Sequence, residues 1–190
     1  MPIDELLEIL RQVDDSKAAW DSQLKLLQLT FHSDLWNNLP EVDIRRDVDV
    51  ATAWLQTCLE QVKSPAGIYL GLDTLNMDGG HGHNLEVGWI NKVDVEDDDT
   101  DWIYRGLQYG PRHLLGGLVD IHSTYSRPEW EDQFSNADYM LFLGYSGLIL
   151  REVLKNAAIP EPALVAWGFH DGDMFLLGRK KAGVFEILGT

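Results

Sequence analysis

The chain of 190 residues has little cysteine, no long apolar run and little positive charge. Its single cysteine, Cys58, excludes an internal disulfide, so we expect a reducing compartment. The first residues, MPIDELLEIL, are acidic and lack the basic start and the cleavage site of a signal peptide. No apolar run reaches the ~18 residues that a membrane helix needs. These absences predict a cytoplasmic protein without a membrane segment.

Positive charge is scarce relative to negative charge. Fifteen lysines and arginines stand against 31 aspartates and glutamates, which gives a net charge of −16. A surface of this kind repels nucleic acid and anionic membranes and favours a basic partner. The alternative interpretation is that the charge serves solubility alone.

Apolar residues, by contrast, are plentiful. They make up 45% of the chain and include seven tryptophans, a composition that argues against disorder. A chain of this length can bury a sizeable core. Because we find no repeat and no linker, we predict a single globular domain over 1–190, with a helical N-terminal part over about 1–64 and an α+β part over about 66–190.

The segment 135–156 is the most apolar long stretch. Between residues 139 and 150 it carries no charge, and its apolar residues fall on every face of a helix, which is the pattern of a buried helix. Gly144 and Gly147 share one face and would let another backbone come close. We therefore predict a buried central helix on which the other elements pack.

Apolar residues recur at helical spacing in four further segments and alternate at strand spacing in six. The other predicted helices cover 3–13, 17–31, 48–63 and 111–125. The predicted strands cover 68–72, 85–89, 102–107, 164–170, 174–178 and 184–188.

Two turns organise the predicted strands. The glycine-rich segment 78–83 is predicted to be a loop between two antiparallel strands, and Asp171-Gly172 predicts a hairpin. The hairpin explains the ionisable residues at its tip, so we assign no chemistry to His170 beside it. The pattern predicts an α+β fold: N-terminal helices, then an antiparallel sheet of five or six strands packed against the buried central helix.

The most suggestive short motif is His81-Gly82-His83 in the predicted loop. Two imidazoles two residues apart can bind one metal ion when the backbone is extended, and Asp78 or Glu86 would add an oxygen ligand. A small metal-dependent hydrolase using this loop is therefore one hypothesis. The alternative is a glycine-rich loop with incidental histidines, because the pair has no matched third ligand.

Other motifs lack a residue that their chemistry needs. Ser146 is followed two residues later by Leu148, where a nucleophile elbow requires glycine. The acidic run 94–101 lacks the glycine of a calcium-binding EF-hand loop. The sequence contains no phosphate-binding loop, dinucleotide fingerprint or zinc-cysteine set. We therefore predict no cofactor and lean against an enzyme.

The leading hypothesis is a non-enzymatic acidic module that binds a basic protein, such as a bacterial immunity protein or an inhibitor that neutralises a toxin enzyme. This function needs shape, charge and a rigid core but no reactive group. The run 94–101 holds six acids in eight positions and is a natural docking patch when aromatic anchors lie beside it. The predicted contact residues are Asp97, Asp98, Asp99, Asp101, Trp102 and Trp130. A structural subunit of a larger assembly is the remaining alternative.

Overall fold

The computed structural model describes residues 2–31, 36, 39, 41–60, 62, 64–77, 80–96, 100–125, 137–170 and 172–188. Within them the chain forms five α-helices, one 3₁₀ helix and six strands, so the fold is α+β. The helices are α1 (Pro2–Gln12), α2 (Ser16–Thr30), α3 (Ile44–Leu59), α4 (Gly116–Tyr125) and α5 (Ala137–Asn156). The strands are β1 (Gly67–Met77), β2 (Gly80–Ile90), β3 (Gln108–Tyr109), β4 (Ala163–Phe169), β5 (Met174–Lys181) and β6 (Val184–Ile187).

The six strands form one mixed sheet in the order β3-β2-β1-β4-β5-β6. Neighbouring strands are antiparallel except at the centre, where β1 and β4 run parallel with Gly67 opposite Leu164 and Leu72 opposite Phe169. The prediction of a purely antiparallel sheet is therefore wrong at this pair. The cause is the connection between these strands, because α5 carries the chain back along the sheet and β4 starts at the same end as β1.

The first hairpin is longer than the sequence predicts. Strands β1 and β2 pair continuously from Gly67 opposite Ile90 to Met77 opposite Gly80. Residues 80–83, predicted to be a loop, therefore belong to β2. The hydrogen-bonded ladder outweighs the low strand propensity of its glycines, since that propensity depends strongly on context.

Two other elements also differ from their predictions. The predicted strand over 102–107 is instead a 3₁₀ helix, Asp101–Tyr104, followed by the two-residue strand β3. Helix α4 begins at Gly116 rather than at Pro111. The residues before it are extended because the backbones of Leu85 and His113 exchange two hydrogen bonds of 2.7 and 2.8 Å.

The sheet separates two apolar cores of unequal size. Ile68, Leu70 and Leu72 of β1 face the larger core, which contains the helices, whereas Tyr69 faces the smaller core on the other side. Trp102 and Ile103 of the 3₁₀ helix cover part of that second face. We call the side of the sheet that faces this smaller core the open face.

Helix α5 lies in the larger core. Every residue from 140 to 151 is buried, and the helix contacts each of the other four helices. Gly147 permits its close packing on the sheet, because a Cβ there would lie 2.8 Å from the ring of Trp167. Ser146 accepts a hydrogen bond of 3.1 Å from the Trp167 indole. None of the described helices combines the length and the apolar content that crossing a bilayer requires.

Two buried charged residues tie the helices together. The Asp47 carboxylate of α3 accepts hydrogen bonds from the Gly117 N–H (2.7 Å) and from the Tyr145 hydroxyl (3.0 Å). Arg151 of α5, which is fully buried, donates to the carbonyls of Leu10 and Val13 at 2.9 and 2.6 Å and so closes the end of α1. Both charges hold neighbouring elements together, as buried charges do when they are hydrogen-bonded.

Candidate functional site

Asp73, Glu86 and His170 meet on the open face of the sheet. Along β1, Tyr69, Gly71 and Asp73 alternate with the side chains that face the larger core. Asp73 therefore lies on the open face. Glu86 of β2 pairs with Gly71 across the hairpin and therefore lies on the same face. His170 follows β4, and its backbone N–H donates to the Leu72 carbonyl at 2.9 Å. Three separate strands thus deliver the three side chains to one place.

Gly71 makes room for this meeting at the middle strand. It pairs with Glu86 on one side and with Gly168 on the other, so no side chain stands between β2 and β4 at this level. Glu86 reaches across to His170, whose Nδ1 contacts the Glu86 Oε1. A Cβ at Gly71 would lie 2.4 Å from the Tyr69 hydroxyl, which shows that the Tyr69 ring fills the remaining space.

Arg112 supplies the positive charge of the cluster. Its Nη1 lies 2.8 Å from the Asp73 Oδ2, and its Nε lies 3.7 Å from the Glu86 Oε2. The Asp73 oxygen has no hydrogen bond of good angle despite the short distance, so we treat the contact as a charge pairing. Glu86 is 4% exposed and Asp73 13%, whereas His170 and Arg112 are 36% and 53% exposed. The two carboxylates are buried beneath the imidazole and the guanidinium, which lie toward solvent.

Two tyrosines border the cluster. Burial raises the pKa of Tyr69, and the negative charges of Glu86 and Asp73 raise it further. Burial and then Glu86 also raise the pKa of Tyr109, whose ring centroid lies 5.8 Å from that of His170. Both phenols therefore remain protonated near neutral pH and can act only as neutral hydrogen-bonding groups.

The cluster has the composition of a metal site. Asp73, Glu86 and His170 can each offer one ligand atom, and these atoms all lie within 4.8 Å of one another. Two carboxylates with an imidazole suit zinc and related transition metals. The same groups, with Arg112, are also able to form a salt-bridged network without a metal.

His83, the described histidine of the His81–His83 motif, does not contribute to this cluster. His83 lies on the helix-facing side of β2, where its ring packs edge-on against Phe142 and Phe169 at centroid distances of 4.4 and 5.2 Å. Glu86 points to the opposite face, so the structure does not bring the two predicted ligands together. Asp78 and the side chain of His81 lie outside the described residues.

The predicted docking patch is described only in part. Asp97, Asp98, Asp99 and Trp130 lie outside the described residues. Asp101 is exposed, whereas Trp102 is only 3% exposed and packs over Gly67. Tyr104, three residues after Asp101 in the same 3₁₀ helix, is 70% exposed.

The acidic segment is anchored to the open face. Val93 and Val95 pack against its apolar core. Glu96 binds the Lys181 Nζ at 2.7 Å and lies 3.4 Å from Arg179 Nη1, both on β5. The hydrogen bond and the charge of Lys181, followed by the charge of Arg179, lower the pKa of Glu96. The side chain of Glu96 thus ties this segment to β5.

Sequence reasoning identified Glu86 but missed Asp73, His170 and Arg112. Asp73 is the polar residue of an alternating strand, and His170 is accounted for by its hairpin. Their proximity depends on the parallel pairing of β1 with β4, which no local pattern reports. The available signal was weak: one charged residue directly after the alternating run of residues 68–72.

Comparisons with known proteins do not add a family to this description. The chain matches no family model, no curated protein and no solved structure. The functional argument therefore depends on the residues themselves.

Proposed function

We propose that this protein is a cytoplasmic, non-enzymatic acidic module that binds a basic protein partner. The net charge of −16 supports a basic partner over nucleic acid or membrane. A toxin enzyme neutralised by a bacterial immunity protein or inhibitor is the kind of partner that this chemistry fits.

The anchoring of the acidic segment is the observation that carries the proposal. Glu96 is held by Lys181, and the Asp94 carboxylate accepts a 3.0 Å hydrogen bond from the Glu96 N–H. Tyr104, in the 3₁₀ helix at the end of this segment, supplies exposed aromatic area. A surface fixed before binding loses less conformational entropy on association, and tyrosine is a frequent anchor in interfaces.

The experiment begins with capture of partners from the source cell at low salt, followed by kinetics with the purified basic partner. We expect the association rate to fall steeply as salt rises, because electrostatic steering raises it by roughly 10- to 1,000-fold. The double variant Asp94→Asn/Asp101→Asn should associate several times more slowly. Asp4→Asn/Glu5→Gln on α1 makes the same change in charge elsewhere and serves as the matched control.

Two results would count against the module. One is an association rate that does not respond to salt. The other is an equal effect of the two double variants, because the segment near Asp101 would then have no special role.

The second candidate is a small metal-dependent hydrolase, and the specific observation in its favour is the Asp73–Glu86–His170 cluster. A dication there would lower the pKa of a bound water and so supply a nucleophile. Hydrolysis of p-nitrophenyl acetate and bis(p-nitrophenyl) phosphate by Zn²⁺-loaded protein tests it. Activity that disappears in His170→Gln supports this candidate, and activity equal to that of free Zn²⁺ contradicts it.

A further inference from the structure

We infer that Asp73, Glu86 and His170 form a binding site for a divalent transition metal of the zinc class, and that Arg112 closes this site in the metal-free protein. The inference does not depend on the basic partner. It also does not require hydrolysis, since a metal in this position can be structural, regulatory or catalytic.

The spacing of the ligand atoms fits one ion after a small movement. Two ligands at about 2.1 Å from a tetrahedral zinc ion are about 3.4 Å apart. The three donor atoms lie within 4.8 Å of one another, so side-chain rotations that change these separations by about 1–1.5 Å suffice. Asp73 is on β1 and His170 directly follows the adjacent strand β4, which limits how far the two can separate.

The donor set selects the class of metal. An imidazole nitrogen favours zinc, iron, nickel or copper over calcium and magnesium, which prefer oxygen ligands alone. Three protein ligands leave the fourth position of a tetrahedral zinc ion open for water or substrate. His170 is therefore the residue that distinguishes this site from a merely acidic surface.

A second observation comes from Asn84. It lies directly opposite Asp73 in the β1–β2 ladder and therefore on the same face. It is 5% exposed, and its Oδ1 accepts no hydrogen bond from the described residues. A buried amide oxygen that accepts no hydrogen bond is unusual in a folded protein. A metal ion or its bound water would give this oxygen a partner.

In the metal-free protein, the Arg112 guanidinium neutralises the carboxylates of Asp73 and Glu86, and its side chain can swing into solvent. It lies 2.8 Å from one carboxylate and 3.7 Å from the other, and half of its side chain is exposed. A dication bound to the same oxygens would repel the guanidinium strongly at this distance. Metal binding and the Arg112 contacts are thus mutually exclusive, so removal of Arg112 should favour the metal.

The test is a calorimetric titration of untagged, EDTA-stripped protein with Zn²⁺, followed by the same titration of four variants. We expect one Zn²⁺ per wild-type chain. His170→Gln and Asp73→Asn should each weaken binding by roughly tenfold or more, because each removes a ligand. Arg112→Gln should strengthen it by roughly tenfold or more, since the competing cation is gone.

His83→Leu is the matched control. It removes a histidine from β2, the strand of Glu86, on the opposite face of the sheet, and keeps an apolar side chain between Phe142 and Phe169. It should leave the affinity for Zn²⁺ unchanged. A Ca²⁺ titration is the second control, because Ca²⁺ binds acidic surfaces without using histidine and should not respond to His170→Gln.

Far-UV circular dichroism in EDTA verifies the fold of each variant. A misfolded ligand variant would not decide the question, but Arg112→Gln still would, because misfolding does not produce tighter binding. The inference is overturned if neither the wild type nor Arg112→Gln binds Zn²⁺ more tightly than Ca²⁺. It is also overturned if binding survives His170→Gln and is lost in His83→Leu. Because the readout is binding, a negative hydrolysis assay leaves this result untouched.

Discussion

Asp47 and Asp73 are the same residue type on opposite sides of one sheet, and their surroundings differ in kind. Asp47 is 2% exposed and accepts hydrogen bonds from a backbone N–H, a tyrosine hydroxyl and the half-exposed Arg46 guanidinium. Asp73 also pairs with a half-exposed arginine, Arg112, but its paired oxygen accepts no hydrogen bond of good geometry. Loss of the first carboxylate would leave two buried donors unpaired, whereas the partner of the second can return to solvent. The open face is therefore where we propose a function.

The largest expected effect contrasts these two aspartates directly. Asp47→Ala leaves the Gly117 N–H and the Tyr145 hydroxyl buried without an acceptor, so we expect a loss of about 4 kcal/mol in the free energy of unfolding. Asp73→Ala in the metal-free protein should cost less than about 1 kcal/mol, because its partner is exposed. Urea denaturation of both variants measures the difference. If both variants lose the same free energy of unfolding, then Asp73 matters as much to stability as Asp47, which contradicts the comparison.

A smaller effect is expected where the open face is tightly packed. Gly71→Ala would place a Cβ 2.4 to 2.6 Å from the hydroxyl and ring of Tyr69, which is fully buried and has no space to move. We expect a loss of about 1–3 kcal/mol from overpacking. Zn²⁺ binding should weaken as well, since Glu86 reaches His170 over this position.

Gly88→Ala provides the comparison for Gly71→Ala. The nearest atom to its Cβ would be a Leu107 side-chain carbon at 3.1 Å, and leucine can adjust. If Gly88→Ala proves the more damaging substitution in urea denaturation, then the close approach at Gly71 is not what shapes the site.

The smallest expected effect is a loss of stability at high pH that comes from Tyr139 on helix α5. Tyr139 stacks on Phe169 at a centroid distance of 4.4 Å, and its hydroxyl lies 3.2 Å from an Asp173 oxygen. Burial, followed by the charge of Asp173, raises the pKa of Tyr139 to about 12. The unfolded chain loses this proton near pH 10, so the stabilisation present below pH 10 is lost as the pH rises from about 10 to 12.

The difference in phenolate absorbance between the wild type and Tyr139→Phe measures this pKa. A difference spectrum that titrates near pH 10 instead of 12 would show that Tyr139 is not shielded in the folded protein.

Much of the fold follows from local pattern, and the site does not. Helical spacing predicted α1, α2, α3 and α5 to within a few residues, because each carries its own apolar stripe or run. The 3₁₀ helix at Asp101–Tyr104 was missed because Trp102 and Ile103 look like strand residues until their packing on the open face is known. The parallel pairing of β1 and β4 joins residues about 100 positions apart, as the Tyr69 and Gly168 contact illustrates. No period in the sequence encodes such a partner.

The same lack of a local signal explains why sequence reasoning singled out His81 and His83 and not His170. His81 and His83 are conspicuous in the sequence because they are only two residues apart, yet the alternation of side chains along β2 places His83 against the helices. His170 is inconspicuous because a hairpin turn explains it, yet tertiary pairing places it beside two carboxylates. Sequence proximity is a poor guide to ligands that come from different strands.

The most direct test is a crystal soaked in Zn²⁺, with anomalous diffraction recorded above and below the zinc absorption edge. The central claim predicts one strong anomalous peak on the open face, about 2.0–2.2 Å from oxygens of Asp73 and Glu86 and a nitrogen of His170, with Arg112 displaced. A peak at His81 and His83, or a cluster in which Arg112 still binds both carboxylates and no zinc is present, would contradict it.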